Sequence, residues 1–216
     1  MNFFAHLHVA RQAGWTDAPS ALGSMLPDLL SLARVRADPG RLPLGVAHGR
    51  ALHHRSDTLF HHHGTFLELA ADLRDRLGGT GVPAGPARAV AHLGNELLLD
   101  GLLPDQPTLV GAFREAVDHG PAVEPALVGA DHSAWRALAG WLSGAVPSDY
   151  AETDEVARRL HRMLARRPRL AFDARHLPGI AEVLEVHRPA VEQARRTILD
   201  DVAAGLRTSA PCGSHR

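Results

Sequence analysis

Strand-like alternation is scarce in this chain, while Ala, Leu, Arg and Glu recur with apolar residues spaced three and four apart. That combination constrains the fold most, because a pattern of period 3.6 cannot bury one face as a strand. With 216 residues, the chain is long enough for one domain with a substantial core. The reading is therefore all-α: a single helical, metal-binding domain over residues 1–207, built as a bundle of about seven or eight helices. Residues 208–216 are expected to form a disordered tail.

The expected helices cover residues 2–12, a segment capped by Ser20, and 43–77 with a bend near His62-His63-Gly64. Further helices cover 85–103, 108–118, 131–145, 151–167 and 178–206. Pro27 falls early enough in the second of these to be tolerated. Asp38-Pro39-Gly40 is a turn, and the glycine-rich run 78–83 is the clearest loop.

Onto this helical frame the sequence places histidines and acids in three clusters. Asn2-Phe3-Phe4-Ala5-His6-Leu7-His8 is the first. The second is His53-His54-Arg55-Ser56-Asp57, followed by His61, His62 and His63. His92, Glu96 and Asp100, each four residues from the last, form the third. Imidazole and carboxylate together are the usual ligands of a catalytic divalent metal, and i, i+4 pairs share one helix face. His53 and Asp57 form such a pair, and His54, Asp57 and His61 also share a face. One of His53 and His54 is expected to be a ligand, and the other to contact substrate or a neighbouring acid. Clusters so far apart in sequence point to one site assembled from several helices.

Asp28 is a lone carboxylate in the apolar stretch Met25-Leu26-Pro27-Asp28-Leu29-Leu30. His6 and His8 lie on a helix too apolar to be freely exposed. Arg50 and Arg55 flank the paired histidines and could hold an anionic oxygen. The competing reading makes the clusters ion pairs, with Arg50, Arg55 and Arg88 as cations. His119, His132, His161, His176, His187 and His215 read as ordinary, partly buried histidines, and His62 as part of a solvated helix end.

Charge and cysteine use narrow the class. The net charge of −1 gives no field to attract nucleic acid or anionic lipid, and no strong basic patch is visible to dock an acidic carrier. The one cysteine, Cys212, excludes an internal disulfide framework and a cysteine zinc site. No basic n-region opens the chain and no apolar run of transmembrane length occurs, so a cytoplasmic location is expected.

The residues also resemble a known family. Met1-Asn2-Phe3-Phe4-Ala5-His6-Leu7 is similar to the opening of the acyl carrier protein phosphodiesterases. Ser20-Ala21-Leu22-Gly23-Ser24-Met25-Leu26-Pro27-Asp28 follows a second family segment, with Ser24 in place of Asn. Gly49, Leu52, His53 and Asp57 match a third. There His54 stands where the family has Arg, Arg55 is displaced by one, His61 replaces an Asp, and His63 matches. Glu96 and Asp100 fall on a late acidic segment whose final His is Gly101 here. The motifs cover roughly residues 1–101, with a looser likeness over 158–169.

The resemblance implies an HD-like helical fold and a divalent metal, manganese by preference. That metal would support hydrolysis of the phosphodiester between phosphopantetheine and a carrier-protein serine. It implies His6, Asp28, His53, Asp57 and Asp100 at family positions, with Glu96 at an acidic one; His8, His54, His61 and His92 come from spacing alone. The metal-ligand set is therefore His6, Asp28, His53, Asp57, His92, Glu96 and Asp100, for one or two ions. Arg50 or Arg55 would offset phosphate charge, and His54 or His61 would donate a proton to the leaving group. The added imidazoles favour iron or zinc over manganese. They keep open an iron-dependent oxygenase, or another small-molecule enzyme on the same site, and also a non-catalytic binding protein. Expected partners are a phosphopantetheinyl carrier protein or a small-molecule substrate, with a homodimer as the assembly and neither nucleic acid nor membrane.

Overall fold

A computed structural model describes residues 1–144 and 149–208. Among the described residues there are nine α-helices and no strand, so the all-α expectation holds. The extra helix arises where one long helix was expected over 43–77. The chain breaks at His62-His63 into α3 (Leu44–His61) and α4 (Gly64–Leu77). The others are α1 (Phe3–Gln12), α2 (Ala18–Ala33), α5 (Ala84–Gly101), α6 (Pro107–Asp118), α7 (Ser133–Gly144), α8 (Thr153–Leu164) and α9 (Leu177–Thr208). Thr208 ends α9, and the rest of the expected tail, with Cys212 and His215, lies outside the described residues. No helix among the described residues is long and apolar enough to cross a membrane.

The α2 cap differs from expectation. Asp17, not Ser20, is the N-cap, and its carboxylate accepts from the Ser20 amide at 2.9 Å. Asp17 can do this because it sits three residues before that amide in an extended conformation, whereas Ser20 is already inside the helix and buried. The helix therefore begins earlier, and Pro27 lies past its middle rather than near its start. Having no N–H, Pro27 cannot bond the Gly23 carbonyl, the usual partner four residues back.

Backbone packing divides the described residues into two compact units, each drawn from several stretches of chain. The first takes residue 1 with 61–105 and 149–198, and the second takes 2–60, 106–144 and 199–208. In the first unit, Phe66, Leu73, Leu77, Val90, Leu160, Leu164, Ile180 and Leu184 are fully buried. His187 crosses this core. It meets Asp72 at 3.1 Å and Asn95 at 2.9 Å, which ties α9 to α4 and α5.

The second unit is built on phenylalanine. Phe4 stacks on Phe113 at 4.8 Å, with Phe3 tilted against both, so α1 locks onto α6. Helix α1 is buried nearly all round, which places His6 inside the unit. Helices α2 and α3 cross through two glycines. A Cβ on Gly23 would lie 2.8 Å from the Gly49 Cα and inside the contact distance of the Val46 carbonyl. A Cβ on Gly49 would clash in the same way with the Ser20 carbonyl. This backbone-to-backbone approach holds the α3 turn just before His53 against α2.

Candidate metal centres

Helix α3 buries Val46, Gly49, Leu52, His53, Ser56 and Phe60. Apart from Leu52, these follow spacings of three and four, the period of one helix face. His53 lies on that stripe and is buried, while His54 is exposed. This separates the adjacent pair: His53 faces inward, and His54 meets it only edge-on at 5.4 Å.

Four predicted ligands meet in the second unit. His6 Nε2 is 3.2 Å from Asp57 Oδ1 and 3.9 Å from Asp28 Oδ2. His53 Nε2 is 3.5 Å from Asp57 Oδ2. The two imidazoles stack at 3.8 Å, and ligand atoms of His6, Asp28 and His53 all lie within 4.8 Å of one another. Three helices supply the group: His6 from α1, Asp28 from α2, and His53 with Asp57 from α3.

The outer bonds of the two imidazoles decide what their inner nitrogens offer. His53 Nδ1 lies 2.9 Å from the Ser24 carbonyl, which can only accept, so Nδ1 carries the proton. Ser56 Oγ donates to the His53 carbonyl at 2.9 Å, and its oxygen accepts from His6 Nδ1 at 2.8 Å. Both rings are therefore fixed through Nδ1, with Nε2 turned toward the carboxylates. A metal-binding histidine uses the same division of labour: one nitrogen donates to a neighbour while the other points at the ion.

Electrostatics agree with that assignment. Burial, with the neighbouring charge of His6, pushes His53 down to about 3 despite the opposing pull of Asp57. Burial alone would raise the Asp57 carboxyl. The His6 hydrogen bond and the His6 charge help to outweigh it and hold Asp57 well below the usual carboxylate range. At neutral pH the group thus presents an uncharged His53 nitrogen and an ionised Asp57, the donor forms that a cation requires.

This has a consequence for stability without metal. The folded pKa of His53 lies below its unfolded value of about 6.5, so the unfolded chain binds the extra proton. Its contribution is fully present above about pH 6.5 and is lost as the pH falls toward about 3. The loss is at most about 5 kcal/mol, and Asp57 adds to it only below about pH 4. Urea midpoints of chelator-treated protein at pH 7, 5 and 4 should fall steadily. The His53→Gln variant should show a flatter profile, and an equal slope in both proteins would contradict the assignment.

The remaining predicted ligands belong to the first unit. In the first unit, His61 Nε2 donates to Glu96 Oε1 at 3.0 Å, and His92 Nε2 lies 3.1 Å from the same oxygen. The Met1 amino group lies 3.4 Å from it. Burial would raise the Glu96 carboxyl, but the Met1 charge and the two histidine hydrogen bonds hold it well below the usual range. His61, expected as a proton donor, thus stands beside two expected ligands. Among the described residues two groups could hold a metal ion, in keeping with the expectation of one or two ions. Asp100 is fully buried one turn beyond Glu96. Gly101, where the resembled family has His, abuts the Tyr150 backbone so closely that a Cβ would overlap its carbonyl.

Arg55 has a structural task, donating to the Leu206 carbonyl near the end of α9 at 3.0 Å. Arg50 is half-buried on α3, His8 is half-buried on α1, and Arg88 and His62 are exposed. The carboxylates Asp57 and Glu96 pair with imidazoles, which weakens the reading that relied on arginine partners. His119, His132 and His176 bond nearby backbone carbonyls, and His161 sits edge-on to Phe172.

Sequence reasoning missed Ser24 and Ser56, which hold the two rings. Ser56 was detectable as a polar residue on the buried stripe of α3. Ser24 acts through its backbone carbonyl while its hydroxyl bonds Ala21, so its side chain carries no signal. Comparison with known proteins returned no match to a family model, a curated protein or a solved structure.

Proposed function

We propose that this chain is a metal-dependent phosphodiesterase or a related phosphohydrolase, with His6, Asp28, His53 and Asp57 holding the cation. The observation that carries this reading is the pair of buried imidazoles whose Nδ1 atoms are tied back and whose Nε2 atoms converge on Asp57. Two nitrogens and two carboxylates suit manganese, iron or zinc. The likeness of residues 1–101 to the acyl carrier protein phosphodiesterases supports the choice of a phosphodiester.

A bound divalent ion would supply Lewis-acid polarisation of a phosphoryl oxygen and a water of lowered pKa. The protein's own residues do the rest. The Asp28 and Asp57 side chains are 28% and 31% exposed, whereas the two imidazoles are buried. Substrate therefore approaches from the carboxylate side, and the rings form the floor. Arg50, one turn before His53, offsets phosphate charge, and the exposed His54 gives a proton to the leaving group. Arg55 is left out because Leu206 engages it.

The test is hydrolysis of bis(p-nitrophenyl) phosphate and of a phosphopantetheinyl carrier protein by tag-free protein, stripped of metal and reloaded with manganese, iron or zinc. Turnover that requires the cation supports the reading. No turnover on any phosphodiester, with the cation demonstrably bound, overturns it. Iron together with substrate-dependent oxygen uptake would replace it by an oxygenase.

The ring supports give a finer prediction. Ser56→Ala removes the acceptor of His6 Nδ1 and leaves every proposed ligand in place. Metal affinity should fall roughly 10- to 100-fold by calorimetric titration. An unchanged affinity would show that His6 is not a ligand.

A further inference from the structure

We propose that His61, His92 and Glu96 form a second cation site, selective for a divalent ion of the zinc class. The proposal rests on this group's own donors and holds whether or not the phosphodiester reading does. His92 and Glu96 are four residues apart on α5, and His61 ends α3. Their ligand atoms lie within 4.8 Å of one another, and both Nε2 atoms approach the same Glu96 oxygen. The rings lie 4.9 Å apart at 46°, so they flank that oxygen without stacking over it.

The surroundings favour an ion. Glu96 has a side chain only 11% exposed, and Phe66 stands edge-on to His92 at 5.2 Å as an apolar wall. A buried carboxylate is costly unless cationic or hydrogen-bonding partners offset it. The two imidazoles are 34% and 42% exposed, and the Met1 amino group, 3.4 Å from the shared Glu96 oxygen, is the resident cation that a metal ion would displace. Two imidazoles and one carboxylate make a three-ligand set typical of zinc with an open position. Magnesium and calcium prefer oxygen ligands throughout and should bind poorly. On binding, the ion is held by the two Nε2 atoms, and a neutral ring that had donated through Nε2 shifts to the tautomer with its proton on Nδ1. Any imidazolium releases one proton to solvent.

The experiment is zinc titration by calorimetry on stripped, tag-free, full-length protein. Cobalt is the spectroscopic probe, and circular dichroism checks the fold. The double variant His53→Ala/Asp57→Ala disables the other group and should retain one zinc equivalent with visible cobalt bands. Adding His92→Ala should abolish both signals, or weaken zinc at least 100-fold. Glu96→Gln, which keeps the shape of the side chain, should do the same if His92→Ala disturbs folding. Loss of all zinc in the double variant, while the wild type binds it, overturns the second site and leaves the first intact. Zinc binding unaffected by both His92→Ala and Glu96→Gln also overturns it. A double variant that keeps its zinc and loses hydrolysis supports both sites together.

Discussion

Asp57→Ala should lower cation-dependent phosphodiester turnover by roughly a thousand-fold, about 4 kcal/mol of transition-state stabilisation. Asp57 approaches both buried imidazoles, at 3.2 Å from His6 and 3.5 Å from His53. Its loss removes one anionic ligand and the charge that draws the ion between the rings. The fold should survive, because the side chain is partly exposed and the rings remain tied to Ser56 and Ser24. Asp57→Asn, which keeps the shape and removes the charge, should show most of the loss. Turnover near the wild-type rate in both variants would remove Asp57 from the site.

The second large effect is structural. Gly49→Ala should destabilise the protein by about 3 kcal/mol and lower its melting temperature by roughly 6–12 °C. The new methyl would overlap the Ser20 carbonyl and press on the Gly23 Cα, both parts of a backbone that cannot rotate away. Helix α3 would have to withdraw from α2 and carry His53 off the Ser24 carbonyl. Cation affinity should therefore fall along with stability. Gly111→Ala on α6 is the control: nothing lies within 4 Å of its Cβ, so it should be neutral or stabilising by up to about 1 kcal/mol. Equal melting temperatures for the two variants would show that the glycine crossing does not position α3.

Most of the helical frame was legible because it depends on local periodicity. The break at His62-His63 was expected as a bend, since a histidine run ahead of Gly64 carries no apolar stripe across it. The α2 start was misplaced because Asp17 and Ser20 are both good capping residues, and only the geometry shows which accepts the bond. At the site, His6, Asp28, His53 and Asp57 were all readable as ligand types. The inward choice of His53 was also present in the sequence, in the three-and-four spacing from Val46 to Phe60. Their grouping was not readable, because helical spacing relates residues on one helix and says nothing about which helices meet. For that reason His61, read as a proton donor, fell beside the expected ligands His92 and Glu96. The supports from Ser24 and Ser56 were hidden for a related reason. One acts through its backbone, and the other bridges helices 50 residues apart in sequence.

Metal content tests the central claim most directly. Tag-free protein is stripped, reloaded with manganese, iron or zinc, freed of excess ion and analysed for bound metal, beside His53→Ala and Asp57→Ala. The account predicts at least one equivalent in the wild type and a loss of one equivalent in each variant. Wild-type protein that retains no metal under any loading condition, or variants that retain as much as the wild type, would contradict it.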